Sequence, residues 1–367
     1  VPGRISFMLC LFFLFSVPIA CTNPVVSQEQ AKESPAQGEQ QKESSTQEQP
    51  TQDDQDASTP EENVADANEP IAEEPTPEPS PEPQPKDTPD ETNDCEGLDA
   101  ITGTKFWSIY HNLTPRPFTV YIPPQYKPNK SMPVVLNFHG IGSNPAQQQI
   151  ISGMDSLAKE KGFITIHPQG VGNSWNGGLC CSPASSPMFV NDVGFVRAML
   201  DYVEKKLCVD KKRIFATGLS NGAYMTYRLA CELSDRIAAV APVAGLLVAS
   251  SCKPKRPISV MAFHGTGDAI VPYAGYPLLG WNSVQSSVDH FVKHNECQTA
   301  ANRIFEKDDT HCDQYDGCKD NTAVTLCTTK NGGHTWPSGF PIPGFGITTR
   351  DIDATKEMWK FFQKHPL

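Results

Sequence analysis

Gly218-Leu219-Ser220-Asn221-Gly222 follows a short apolar run, Arg213-Ile214-Phe215-Ala216-Thr217, and precedes a helical run from Ala223 to Leu233. The order is strand, G-x-S-x-G, helix. A turn this tight tolerates only small side chains on either side of the serine, so the glycines at both ends have a steric cause. The turn lifts the Ser220 hydroxyl clear of a sheet and leaves the Asn221 N–H facing the place where an oxyanion would develop. The pentapeptide alone would recur by chance. Its flanking strand and helix distinguish a nucleophile turn from an ordinary glycine-rich helix start.

Outward from this turn, apolar runs alternate with amphipathic segments. Phe118–Ile122 alternates as an edge strand does, and Pro133–Phe138 is continuously apolar, as expected of a central strand. Further strands are predicted at 163–166, 213–217, 237–241, 258–263 and 323–328. Helices are predicted at 147–161, 190–207, 223–233, 283–295 and 351–364, each with apolar residues on one face. This alternation predicts an α/β domain, a mainly parallel sheet with helices on both faces.

In such sheets the loops at the carboxyl ends of the strands hold the chemistry. Three loops qualify. His139-Gly140-Ile141-Gly142 follows a predicted strand, and Gly140 or Ile141 would donate a second N–H to the oxyanion. His139 precedes the serine and is read as a loop-ordering side chain. Asp268, in His264-Gly-Thr-Gly-Asp268, is placed to orient a histidine, and His334, in Gly332-Gly-His-Thr-Trp-Pro337, is the base. Each member of the order Ser220, Asp268, His334 falls after a predicted strand, which is the chain order of α/β-hydrolases.

The rest of the chain is organised around this domain. Residues 1–21 read as an export signal: Arg4, an apolar run from Ile5, then Ala20-Cys21, where Cys21 would take a lipid as in a bacterial lipobox. Pro18 departs from that pattern, and plain cleavage near Ala20 is the alternative. Residues 22–94 hold twelve prolines, twenty acidic residues, three lysines and no aromatic, so they should form a disordered linker. Fully extended it would reach roughly 200 Å, at about 3.1 Å per residue. Residues 95–367 form the single domain, with 26 basic and 22 acidic side chains. That balance offers nothing to nucleic acid. Its ten cysteines predict disulfides. Cys297–Cys318 is the preferred pair, and the adjacent Cys180 and Cys181 are expected to bond elsewhere. His311-Cys312 with Cys318 lacks the paired spacing of a zinc site, so no metal is expected.

The runs Gly170-Val-Gly-Asn-Ser-Trp-Asn176, Cys180-Cys181, Asp192-Val-Gly-Phe-Val196, Thr217–Ala223, His264-Gly-Thr, Val271-Pro-Tyr273 and Gly333-His-Thr-Trp-Pro337 resemble the polyhydroxybutyrate depolymerase-like esterases. That group is similar to feruloyl and acetylxylan esterases of carbohydrate esterase family one. The resemblance covers about residues 95–365. It implies an α/β-hydrolase fold, carboxylic ester hydrolysis without a cofactor, and Ser220, Asp268 and His334 as nucleophile, acid and base. Ser338 departs from the family's usual glycine after His-Thr-Trp-Pro, and Cys312 and Cys327 are additions to it.

Trp175 and Trp336 are expected to line a substrate groove, since aromatic faces pack on sugar or aryl groups, whereas Trp281 is expected in the core. The expected partner is a polymeric or oligomeric ester, met by a monomer whose only membrane contact is its lipid anchor. The expected place is extracellular or on the cell surface, as an outer-membrane lipoprotein. A peptidase of the same fold and an inactive surface binding protein are the rival readings.

Overall fold

In the computed structural model the described residues are 95–181, 190–249 and 251–367. The signal segment 1–21 with Cys21 and the linker 22–94 lie outside them. Ten strands form one sheet among the described residues: β1 (Gly103–His111), β2 (Thr114–Ile122), β3 (Met132–Phe138), β4 (Ile164–Pro168), β5 (Val209–Leu219), β6 (Ala239–Val243), β7 (Ser259–Gly265), β8 (Ala301–Lys307), β9 (Thr310–Tyr315) and β10 (Val324–Thr329). Their order is β1-β2-β4-β3-β5-β6-β7-β10-β9-β8. The six strands from β4 to β10 are parallel, and an antiparallel pair flanks them on each side.

The central strands are apolar throughout because both faces are covered. On β3, Val134, Leu136 and Phe138 enter one core cluster and Val135 enters the other. Helices α3 (Asp192–Glu204), α4 (Asn221–Glu232) and α5 (Val284–His294) supply the first cluster. Helices α2 (Met154–Lys161) and α6 (Ala354–Lys364) supply the second, where Phe215 stacks on Phe362 at 4.6 Å.

Four differences from the expected elements stand out. Phe118–Ile122 is not at the edge, because β1 pairs outside it. Strand β1 went unpredicted because it turns Phe106 and Tyr110 to solvent (82% and 80% exposed), which spoils its polar–apolar alternation. The hairpin β8–β9 was missed because β8 is almost wholly exposed and carries little apolar pattern. The helix over 147–161 is two helices, α1 (Pro145–Ser152) and α2, broken at Gly153, whose φ of 61° ends the first with a left-handed cap.

Five disulfides join the ten cysteines: Cys95–Cys208, Cys180–Cys181, Cys231–Cys252, Cys297–Cys318 and Cys312–Cys327. Cys297–Cys318 is as expected. Cys180 and Cys181 bond to each other, contrary to expectation, in a turn where Cys181 adopts a φ of 77°. Cys312 and Cys327 face each other across β9 and β10, so their bond staples the second hairpin to the parallel sheet. Such a set fits an oxidising, extracellular environment.

Candidate active site

Strand register sets the level of the site. Phe138 pairs with Gly218, Leu219 with Val243, Val243 with Phe263, and Phe263 with Cys327. The loops after β3, β5, β7 and β10 therefore leave the same edge of the sheet. Ser220, between β5 and α4, has φ 58° and ψ −121°, a conformation strained for a non-glycine residue and held because its surroundings over-determine it. Its N–H donates to Val243 O at 2.9 Å, and its C=O accepts from Ala223 N at 2.8 Å. A Cβ on Gly222 would lie 2.1 Å from Phe138 O, and one on Gly218 would lie 2.7 Å from the same oxygen. The glycine pair is thus a demand of the neighbouring strand.

Asp268 and His334 meet. The Nδ1–H of His334 donates to Asp268 Oδ2 at 2.7 Å, and both side chains are buried. Asp268 Oδ1 accepts from the N–H groups of Ile270 and Val271 at 2.9 and 2.8 Å. His264 Nε2 donates to Val271 O at 2.8 Å and stands 3.4 Å from Asp268 Oδ2. Burial alone would raise this carboxyl. Hydrogen bonds from His264 and His334, the charge of His334 and the Val271 N–H together hold it well below the usual carboxylate range. Among the described residues, no hydrogen bond joins Ser220 Oγ to His334. Bonds of this kind often tighten only with substrate in place.

A second segment supports the histidine. Phe345 O accepts from His334 N at 2.7 Å, Ile347 O accepts from Gly333 N at 2.9 Å, and the Phe345 ring sits 5.8 Å from the imidazole. A Cβ on Gly333 would lie 2.3 Å from Phe345 O, so this contact needs glycine there. Sequence reasoning missed both His264 and Phe345. The run His264-Gly-Thr at a strand end is a signal for the first. The irregular stretch 337–346 offered none for the second.

The expected oxyanion donors lie after β3 and at the start of α4. Gly140 lies against Ser220: a Cβ there would be 3.5 Å from Ser220 Cβ. Among the described residues, the backbone bonds of this turn use the N–H groups of Gly142, to Asn173 O, and of Ser143, to Gly140 O, but not those of Gly140 and Ile141. Asn221 is the first residue of α4, where a backbone N–H has no intrahelical acceptor. Buried His139 accepts from Gly170 N at Nε2 (3.0 Å) and sits with Nδ1 2.7 Å from Gly140 O. One nitrogen accepting fixes the proton on the other, so the ring is neutral and Nδ1–H donates. Burial pushes its pKa down to about 4, against the hydrogen bond to Gly140.

The expected groove aromatics are corrected. Trp175 and Trp336 are both fully buried, at 0% exposure, and neither shows a face to a substrate. Trp175 packs edge-on to Phe138 at 5.1 Å. Trp336 donates its indole N–H to Thr355 Oγ1 at 2.9 Å, on α6. Each indole N–H has a protein acceptor, which is what lets so large a side chain sink into the core. Trp281 is half-buried and packs edge-on to Tyr224 and Tyr276 at 5.9 and 5.4 Å.

Comparison with known proteins agrees with this construction. The Esterase family, described as "Putative esterase", matches residues 113–323. Feruloyl esterase B of Piromyces equi is 31% identical over 236 residues, covering 60% of this chain. The chain spans only 42% of that enzyme's length, and 22% of the bifunctional acetylxylan esterase/xylanase XynS20E of Neocallimastix patriciarum, to which it is 30% identical over 158 residues. "Probable feruloyl esterase C" of Aspergillus clavatus is 30% identical over 264 residues, 68% of this chain and 84% of its own. Among solved structures, an acetyl xylan esterase from Aspergillus awamori superposes with a TM-score of 0.51 at 15% identity, over 71% of this chain and 99% of that one, and so shares the fold. With the family match extending over more than half of its length, the chain belongs to the Esterase family, and its domain has the α/β-hydrolase fold.

Proposed function

We propose that residues 95–367 hydrolyse carboxylic esters through an acyl-enzyme. The observation that carries this reading is the His334–Asp268 hydrogen bond at the same sheet edge as a serine held at φ 58°. His334 Nε2, the ring nitrogen not bonded to Asp268, takes the proton of Ser220 as Oγ attacks the ester carbonyl. Asp268 keeps the imidazole in the right tautomer and stabilises its cation. The Asn221 N–H and that of Gly140 or Ile141 hold the oxyanion, each donor worth roughly 3–4 kcal/mol. His334 returns the proton to the departing alcohol, and water then cleaves the acyl-enzyme by the same route. The relatives' names favour feruloyl or acetyl esters of plant polysaccharide as substrates. Oligomers of hydroxybutyrate are the other class implied by the sequence resemblance.

In the same reading, residues 1–21 export the chain, Cys21 carries a lipid, and 22–94 holds a monomeric catalytic domain away from the outer membrane. The bulk of a polymer suits such a tether. Intact-mass measurement of the mature protein tests it: a chain beginning at lipid-modified Cys21 supports the anchor, and an unmodified terminus removes it.

The test of the activity offers the full chain methyl ferulate, acetylated xylan, a hydroxybutyrate trimer, a peptide amide and p-nitrophenyl acetate, with Ser220→Ala in parallel. The expected outcome is hydrolysis of methyl ferulate or acetylated xylan and of the control ester. The serine variant should lose about 10⁶-fold in kcat, the scale seen when a triad nucleophile is removed. Cleavage of the peptide alone would replace the esterase by a peptidase. A folded wild type that hydrolyses nothing and fails to react with a fluorophosphonate probe would leave a binding protein.

A further inference from the structure

Trp175 is buried beside the site with every polar atom engaged, and its partners belong to the two arms of the oxyanion hole. On one side its indole Nε1–H donates to His139 O at 3.0 Å. On the other, its backbone N–H donates to Asn221 Oδ1 at 2.7 Å and its C=O accepts from Asn221 Nδ2 at 2.9 Å. We infer that Trp175 is a positioning residue that sets the direction of both oxyanion donors, a role that rests on the esterase reading of the site.

A peptide unit is planar, with C=O and N–H pointing in opposite directions. The carbonyl that Trp175 holds is that of His139, in the same plane as the Gly140 N–H. Fixing the one therefore fixes the other. The next plane is fixed independently, because Gly140 O accepts from His139 Nδ1–H and from Ser143 N. In the second arm, the paired amide contact with the Trp175 backbone locks the Asn221 side chain, and with it the first turn of α4 whose N–H faces the oxyanion. One residue thus ties a loop after β3 to a helix after β5.

The clamp is itself anchored. Asn176 N donates to Asp192 Oδ2 at 2.8 Å, and Asn176 O accepts from Arg228 at 2.8 Å. Asp192 is paired with Arg116 at 2.6 Å, both buried, and the guanidinium lies 3.9 Å over the Phe195 ring. On the inner side, Ser174 Oγ donates to Cys181 O at 3.0 Å and stands 3.2 Å from Asn221 Oδ1. Displacing Trp175 thus displaces only what it holds, because its own segment is pinned at both ends.

Two variants test this in the full chain: Trp175→Phe, which keeps a ring but removes Nε1–H, and Asn221→Ala, which keeps the backbone N–H but removes the paired amide. Each is followed by kcat and KM for p-nitrophenyl acetate, normalised to serine titratable with a fluorophosphonate. Each is also followed by affinity for phenylboronic acid, whose boron accepts Ser220 Oγ to form a tetrahedral anion while the proton passes to His334. The expected result is a fall of about 10- to 100-fold in kcat, less than the loss of a whole donor, with KM within twofold and boronate affinity falling by the same factor as kcat. Unchanged kcat and boronate affinity, or a loss that appears equally in KM, overturns the inference. Should Trp175→Phe fail to fold, Asn221→Ala decides alone. An inactive, folded wild type overturns the esterase reading and the clamp with it, whereas an active wild type with unaltered variants overturns only the clamp.

Discussion

The site has two halves that are held in different ways. The nucleophile half rests on elements: Ser220 directly follows β5, Asn221 begins α4, and Gly140 lies two residues beyond Phe138, the last β3 residue paired with β5. The acid–base half rests on loops: Asp268 and His334 lie three and five residues past their strands and are positioned by hydrogen bonds to each other, to His264 and to the Phe345 segment. In the first half, the turn that carries Ser220 is set by the steric fit of Gly218 and Gly222 against Phe138 O. In the second, the geometry depends on a charge. A carboxylate accepting four contacts organises its loop, as a buried anion with good partners does.

The largest effect expected from this difference comes from removing that charge. Asp268→Asn keeps size and shape but cannot hold His334 in the tautomer that leaves Nε2 free. A fall in kcat of about 10⁴-fold is expected, with KM little changed, because the interaction is made in the transition state. Steady-state kinetics on p-nitrophenyl acetate check it, with circular dichroism to show the fold intact. A loss under tenfold would mean that the loops, not the carboxylate, place His334, and the contrast between the halves would fail.

The same contrast explains what the amino-acid sequence reveals. Ser220, Gly140 and Asn221 are legible because steric demands write small residues next to strand patterns, and strands and helices are periodic. Asp268 and His334 are legible as strand-end residues in the right order. Their partners are less so: His264 ends an apolar strand without showing what it faces, and Phe345 lies in a loop whose contacts leave no period. Trp175 shows the limit most clearly. An indole beside a site motif is equally consistent with a groove wall and a buried clamp, and only its surroundings decide. The Cys180–Cys181 bond fails for a related reason: spacing does not reveal the backbone turn that lets adjacent side chains meet. Strand β1 and the β8–β9 hairpin were lost because half-exposed strands at the margins bury too little to show a pattern.

A smaller effect probes the nucleophile half through a titratable support, His139. His139 is neutral and buried, with a pKa near 4 against an ordinary value of about 6.5. Above about pH 6.5 both folded and unfolded chains carry it neutral, and the stability from its burial is fully present. As pH falls from 6.5 towards 4 the unfolded chain takes up a proton that the folded chain refuses, so folding stability drops. Below about 4 the folded state protonates as well and the loss levels off. The total is on the order of 3 kcal/mol, at about 1.36 kcal/mol per pKa unit. Urea midpoints measured from pH 4 to pH 8 for wild type and His139→Gln isolate the term, since other titrating groups are common to both. The gap between the two proteins should be widest at pH 7 to 8 and shrink towards pH 4. A constant gap would mean that His139 is open to protonation in the folded state. The Gly140–Ile141 turn would then owe its shape to Trp175 and the backbone alone, and both arms of the oxyanion hole would rest on neutral hydrogen bonds that acid leaves in place.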